Sequence, residues 1–270
     1  MAQIAPTAII DKSAQLGDGV RVGPGCVIER DVRIGDECEL VANVLVCQGT
    51  RMGSGNLMGA GCVLGEAPQI KGVPRSASGE LVIGEGNTFR EYVTIHRGSS
   101  YGGGKTVVGD HNYLMAQCHL GHDVEMEDHV LMANLSNIAG HCRIESYAWL
   151  CAYTGAHQFV TIGRYAYAAG YSAIGRDAPP YMKVAGDSPS RVRSLNLTGL
   201  SRAGLGKESL VALRGAFGVL YRRRKGQTLG EAVAALDAEP GLDEHVRYLV
   251  DFLKRSAQDR FGRYRELARK

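Results

Sequence analysis

Every sixth residue from Ile4 to Leu64 is aliphatic: Ile4, Ile10, Leu16, Val22, Ile28, Ile34, Leu40, Val46, Met52, Met58 and Leu64. A period of six is neither the 3.6 of an amphipathic helix nor the 2.0 of a long half-buried strand. Four residues after each hit stands a small or medium side chain, as at Ala8, Ala14, Val20, Cys26, Val32 and Cys38. Many hits are followed at once by Gly (Leu16-Gly17, Val22-Gly23, Ile34-Gly35), which tolerates tight-turn conformations. The pattern suits short strands joined by tight turns, with three hexads closing one triangular coil of about 18 residues. The aliphatic and the small residue both point inward and stack on neighbouring coils. The fold class this implies is all-β, a parallel β-helix of hexapeptide repeats.

The repeat breaks over 66–81, resumes with Ile83, Phe89 and Ile95, breaks again over 98–106, and then runs from Val108 to Ile174. The first break holds Pro68, Gly72, Pro74 and Gly79, and the second holds Gly98 and Gly102-Gly103-Gly104. Long loops on a rigid repeat often carry function. Five of the seven cysteines (Cys26, Cys38, Cys62, Cys118 and Cys142) fall in the small inward slot and read as core filling. An odd, scattered set without a C-x-x-C pair fits a reducing compartment better than a disulfide scaffold or zinc ribbon.

Asp177-Ala178-Pro179-Pro180-Tyr181 reads as the stop of the coil, and 182–205 as irregular. From Lys207 the period turns helical, with a stripe of Leu210, Leu213, Phe217, Leu220 and Tyr221. Further helices are expected over 228–236, 243–256 and 258–268. The expected organisation is a β-helix domain over 1–186 and a helical domain over 187–270. Charge follows the same division. The net charge is +3, yet the chain from Asp187 onward carries 17 Lys/Arg against 10 Asp/Glu. A basic tail is a solvated helical surface or a docking face for an acidic partner. Its densest cluster, Arg222-Arg223-Arg224-Lys225, lacks interleaved aromatics or a binding motif, which argues against nucleic acid. No run approaches the ~18 apolar residues of a membrane span, and no basic-then-apolar leader opens the chain. No membrane insertion and a cytoplasmic location are therefore expected.

The chemistry is concentrated in His119-Leu120-Gly121-His122-Asp123, with His141 and His157 downstream. With about 18 residues per coil, His122 has successors at 140 and 158, and His141 and His157 each fall one residue away. None sits in an inward slot, so the three are expected along one edge of successive coils, about 5 Å apart per coil. Three readings fit. A neutral imidazole near its ordinary pKa can take a hydroxyl proton, with Asp123 orienting it. Three histidines could instead hold zinc, as in trimeric β-helices of the carbonic-anhydrase type. The third reading is structural hydrogen bonding along an interface. Spacing favours the first over the second only weakly.

Several stretches together resemble the UDP-N-acetylglucosamine O-acyltransferases over nearly the whole chain. They are the hexads, Thr94-Ile95-His96-Arg97-Gly98, Tyr101-Gly102-Gly103-Gly104, His119-Leu120-Gly121-His122-Asp123, Ala139-Gly140-His141, His157-Gln158-Phe159 and Asp177-Ala178-Pro179-Pro180-Tyr181. The resemblance implies a left-handed β-helix, a homotrimer with sites between subunits, and the first step of lipid A synthesis. There a 3-hydroxyacyl chain passes from acyl carrier protein to the sugar 3-hydroxyl. It implies His122 as general base, Asp123 holding the imidazole, and the Gly140 N–H stabilising the oxyanion. His96, His119, His141, His157 and Gln158 match acceptor- and acyl-pocket positions, and Asn196 and Arg202 positions near the nucleotide. Gly170 matches the floor of the acyl pocket. Neither metal nor cofactor is implied, and the acidic acyl carrier protein gives the basic tail a partner. The related N-acyltransferases carry an extra N-terminal domain, whereas the hexads here begin at residue 4.

Two departures bear on the acceptor. The family's first loop reads Gln-Asp-Leu-Lys, with the Asp on the sugar, while Gln69-Ile70-Lys71 is one residue shorter and has no Asp. The family's Asn-x-Glu-Gly-Leu-x-Arg-Arg becomes Asn196-Leu197-Thr198-Gly199-Leu200-Ser201-Arg202-Ala203. The same chemistry on another nucleotide sugar, such as a 3-amino analogue acylated on nitrogen, stays open. So do a zinc hydratase using His119, His122 and His141, and a non-catalytic binding trimer.

Overall fold

The architecture is a left-handed parallel β-helix followed by helices, seen in a computed structural model that describes residues 1–187, 189–224 and 226–268. Three sheets form a triangular prism. Face I has eleven strands, face II nine and face III eight. Consecutive strands visit I, II and III in turn, and each pairs in parallel with the strand one coil on, as Val27–Ile28 does with Leu45–Val46. Between coils the backbone donates across, for example from Val27 N to Val44 O at 2.8 Å. A two-residue strand makes few such bonds, so stability rests on the interior stack. From Val20 onward both inward slots of the hexads are buried, and Cys26, Cys38, Cys62, Cys118 and Cys142 are fully enclosed among aliphatic neighbours.

The glycines serve differently from the turn role expected of them. The slot that adopts a left-handed backbone lies three residues after each aliphatic hit. It holds Gly in many lower coils, as at Gly19 (φ 69°), but non-glycine residues, mostly His and Tyr, in the upper ones. Gly directly after the hit is needed for close approach, since a Cβ on Gly23 would lie 1.8 Å from the Val41 carbonyl oxygen.

Both breaks in the repeat leave the prism at the same edge, between faces II and III. The first runs from Val63–Glu66 to Glu80–Ile83, and the second from Thr94–His96 to Lys105–Val108. Sequence spacing had marked them as loops, and the three-face count places them together.

Beyond Ile174 the chain is more ordered than expected. Met182–Ala185 adds another strand to face I and pairs antiparallel with Arg191–Leu195, so this hairpin spans the expected boundary at 186/187. A short helix, α1 (Leu197–Arg202), follows. Neither shows the hexad signal, because an alternating four-residue strand carries too little pattern to call out. The expected helices appear as α2 (Lys207–Phe217), α3 (Leu229–Asp237, with a Thr228/Glu231 capping box) and α4 (Glu244–Ser256, capped by Asp243). A single π-helical turn, Gly218–Arg222, extends α2. The helix expected over 258–268 is absent. Asp259 Oδ2 accepts from the backbone N–H of Phe261 and Arg263, Gly262 turns left-handed (φ 67°), and only a 3-10 segment, Tyr264–Ala268, forms. A second core of Tyr181, Leu195, Leu200, Leu213, Leu249 and neighbours packs the helices on the end of the coil. Among the described residues no helix is long and apolar enough to cross a membrane.

Candidate active site

The edge between faces II and III carries the site. Its two outward slots form columns, one of His122, Gly140 and Gln158, the next of Asp123, His141 and Phe159. All three residues of the second column have positive φ (59°, 63° and 66°). His141 stacks flat on Phe159, centroids 4.6 Å apart, and meets the His122 ring edge-on at 4.9 Å. Phe159, which the sequence reading had passed over, holds the place expected for His157. The signal was available, since Phe159 lies 18 residues after His141. His157 is exposed, with Nδ1 3.1 Å from the Gln158 carbonyl, and Gln158 is exposed too.

His122 was expected to face outward. It does leave the prism, yet the second loop and its neighbours bury it to 6% exposure. Its Nδ1 lies 2.7 Å from Asp123 Oδ2. Asp123 is fixed in turn: Ser99 donates its backbone N–H to Oδ1 (2.9 Å) and its hydroxyl to Oδ2 (2.5 Å), and the Asp123 N–H donates to Thr106 Oγ1 (2.8 Å). Burial pushes the carboxyl up, but the hydrogen bonds from His122 and Ser99 outweigh it and hold the pKa below its ordinary value. An ionised Asp123 can only accept, so the His122 proton sits on Nδ1 and Nε2 keeps its lone pair. Ser99 and Thr106 flank the second loop, whose break in the repeat was the only hint of them.

Gly140 explains how a ring fits here. A Cβ at this position would come within 2.6 Å of His122 Cε1 and 2.8 Å of Nε2. The imidazole lies over the bare Cα, and the Gly140 N–H makes no hydrogen bond among the described residues.

A second histidine pair flanks the first. His96 and His119 meet edge-on at 5.0 Å, and His119 Nδ1 lies 2.8 Å from Thr94 Oγ1. Burial pushes the His96 pKa down to about 4, helped by His119, and burial also lowers His119, so both are neutral near pH 7. Among the described residues His96 Nδ1 is buried without a partner. Among the described residues the three groups close enough to share a metal are His122, Asp123 and His141, not the His119 set of the zinc reading.

The first loop is tied down by a residue that sequence reasoning missed. The Arg97 guanidinium is 1% exposed and donates to the carbonyls of Gly65 (2.8 Å), Arg75 (2.5 Å) and Ala77 (3.0 Å). The only hint was its place after His96. Gln69 and Lys71 stand exposed on this loop. Asn196 is buried, capping α1 at Gly199 N (3.2 Å) and donating to the Tyr165 carbonyl (3.0 Å). Arg202 is exposed in the last turn of α1. Gly170 lies on a different edge, between faces I and II, where a Cβ would make only ordinary contact with the Ala152 carbonyl oxygen (3.4 Å).

A coil of hexads with a carboxylate-held histidine at a loop-covered edge defines a hexapeptide-repeat transferase, and the bacterial transferase hexapeptide model matches 13–48. A second model, UDP-N-acetylglucosamine O-acyltransferase domain 2, matches 177–262. The chain belongs to the UDP-N-acetylglucosamine O-acyltransferase family. It is 41% identical over 256 residues to the acyl-[acyl-carrier-protein]--UDP-N-acetylglucosamine O-acyltransferase of Halorhodospira halophila, covering 95% of this chain and 98% of that one. The enzyme of the same description from Stutzerimonas stutzeri is 37% identical, covering 96% and 98%. Among solved structures, the UDP-N-acetylglucosamine acyltransferase of Francisella novicida superposes with a TM-score of 0.89 at 31% identity, covering 93% and 91%. That of Bacteroides fragilis gives 0.88 at 32% identity, covering 93% and 97%.

Proposed function

We propose that this protein transfers a (3R)-3-hydroxyacyl chain from acyl carrier protein to the 3-hydroxyl of UDP-N-acetylglucosamine, the first step of lipid A biosynthesis, as a cytoplasmic homotrimer. The observation that carries the mechanism is the 2.7 Å contact between His122 Nδ1 and Asp123, which leaves Nε2 as a base. Nε2 takes the proton of the sugar hydroxyl as its oxygen attacks the thioester carbonyl carbon. The tetrahedral oxyanion accepts from the unspent Gly140 N–H. Collapse breaks the C–S bond, and the imidazolium returns its proton to the departing thiolate. Neutral His96 and His119 line the acceptor side without adding charge.

Other roles follow from position. The β-helix over 1–186 serves as the catalytic domain and 187–270 as the helical one. Gly170 lies one edge away from His122, so a trimer with sites between subunits supplies it from a neighbour. Exposed Tyr153 and Tyr171, whose rings stack at 4.8 Å on the Gly170 edge, suit an acyl chain or a subunit contact. Gln69, Lys71, His157, Gln158, Asn196 and Arg202 are assigned to acceptor and nucleotide. Asn196 acts by holding α1, and Arg202 by offering a guanidinium to the diphosphate. Arg222, Arg223 and Arg224 are assigned to the acidic carrier protein; Lys225 of that cluster lies outside the described residues.

The test is His122→Ala, assayed with acyl carrier protein thioesters of graded chain length against a panel of UDP-sugars by mass spectrometry. Turnover falls by about 10²–10⁴ while the trimer stays folded. Near-normal turnover would sink the base assignment. Acylation of a 3-amino sugar in preference to UDP-N-acetylglucosamine would reassign the acceptor. Stoichiometric zinc in purified active protein would favour the hydratase.

A further inference from the structure

The chain's last segment reaches back to the site. After α4 the backbone turns along face III and is fixed at three places. Asp177 donates its N–H to the Gly262 carbonyl (2.7 Å) and accepts the Tyr264 N–H on Oδ2 (3.2 Å). Arg263 donates to the Gly175 carbonyl at 3.0 Å. Arg265 then extends to the catalytic coils. Its Nε donates to the His141 carbonyl (3.0 Å), and its two terminal nitrogens grip Glu125, at 3.2 Å to Oε2 and 2.7 Å to Oε1.

These two acceptors flank the reacting group. Glu125 lies two residues after Asp123, on the strand Glu125–Met126 that leaves the edge. His141 is the ring against which His122 packs, its backbone is left-handed, and its N–H donates to the His122 carbonyl at 3.0 Å. A left-handed non-glycine backbone costs roughly 1–2 kcal/mol here as in the equivalent slots of other coils, and at His141 the guanidinium on the carbonyl adds a restraint on the peptide beyond ring stacking. A guanidinium is suited to bridge a carboxylate and a carbonyl at once, because its donors are fixed in one plane. The Arg265 side chain is 20% exposed, so the contact is partly shielded from solvent.

We propose that Arg265 is a positioning residue for acyl transfer: by clamping Glu125 and the His141 carbonyl it sets the rings of His141 and His122 over Gly140. The C-terminal segment is thus a strap across the catalytic edge rather than a loose end of the helical part. The inference rests on the acyltransferase reading for its kinetic consequence, but its geometric content does not.

The experiment uses the full chain labelled with 13C at histidine Cε1, as wild type, Arg265→Ala, Arg265→Lys and Glu125→Gln. In Arg265→Ala, kcat falls about tenfold while KM for either substrate stays within about twofold, the signature of misplacement rather than lost binding. The His122 and His141 resonances move, His129 and His111 do not, and added guanidinium restores kcat where ethylammonium does not. Arg265→Lys and Glu125→Gln fall between wild type and Arg265→Ala. Unchanged kcat, or a loss that tracks a lower Tm with unmoved His122 and His141 resonances and no guanidinium rescue, overturns the proposal. If wild type itself transfers no acyl chain, the functional reading fails, and the resonances alone still decide whether the strap sets the rings.

Discussion

Two edges of the prism are built alike and do different things. Between faces II and III, Asp123, His141 and Phe159 occupy successive left-handed slots. Between faces III and I, His129, Tyr147 and Tyr165 occupy the corresponding slots at φ 57°, 62° and 56°. Both columns stack with the coil repeat: His141 on Phe159 at 4.6 Å, and His129 on Tyr147 and Tyr147 on Tyr165 at 4.8 Å each. Each left-handed non-glycine residue carries a conformational penalty, and ring stacking of about 0.5–1.5 kcal/mol per pair offsets it. A histidine in a stacked slot is therefore ordinary in this fold. What sets the first edge apart is the preceding slot. There His122 leans over Gly140 toward a buried carboxylate, under a loop that seals it. At the second edge the preceding slots hold Asp128, Ser146 and Arg164, and Asp128 Oδ1 accepts the backbone N–H of Asp110 at 2.8 Å.

The sharpest break of this comparison is an exchange at each edge. Asp123→Asn can present its amide to His122 Nδ1 and force the wrong tautomer, so kcat falls by about 10²–10⁴. His129→Ala, in the matching slot of the other edge, leaves kcat within about twofold and lowers stability by the lost stacking, about 1 kcal/mol. Steady-state kinetics beside thermal denaturation reads both. A catalytic loss from His129→Ala would mean the stacked columns themselves carry function.

Gly140→Ala comes next. The added Cβ has no backbone conflict of its own to resolve, and the atoms it strikes are the His122 ring. The ring moves, so stability is nearly kept while kcat drops by about 10², as for a misplacement of roughly an ångström. If instead Tm collapses and kcat per folded molecule holds, Gly140 is there for coil packing rather than for His122.

Much of this was legible in the sequence, and unevenly so. The inward slots and the five core cysteines followed from the period of six, because each hexad repeats one environment. His122 and Asp123 stood out because two histidines and a carboxylate sat within five residues. His157 does lie at this edge, one slot before the column of His122, and so joins neither column. In a turn, neighbouring slots point in different directions, and the 18-residue count from His141 lands on Phe159. Arg97, Ser99 and Arg265 were illegible for another reason. Their partners are backbone carbonyls or residues up to 140 positions away, contacts that leave no local pattern. The tail was misread as helix because Asp259 and Gly262 end the helical course through a side-chain cap and a left-handed turn.

A last prediction contrasts the site with the strap through pH. Burial, with His119 beside it, depresses His96 to about 4, so its contribution to stability is fully present above about 6.5 and is lost as pH falls toward 4. Burial raises Asp177 to about 6 against the hydrogen bonds from Thr161 and Tyr264, so its contribution is present below about 3.8 and is lost as pH rises through 6. Between pH 4 and 6 the two slopes oppose, and the wild-type Tm conceals both. Substituting one group unmasks the other. Relative to wild type, His96→Gln gains Tm as pH falls from 6.5 to 4.5, and Asp177→Asn gains Tm as pH rises over the same interval. Each change amounts to a few kcal/mol at most, on the order of several degrees. Scanning calorimetry of the three proteins across that interval reads it. Gaps that stay constant with pH would show that neither group titrates with folding, and two gaps of the same sign would show that the strap and the site share one electrostatic environment.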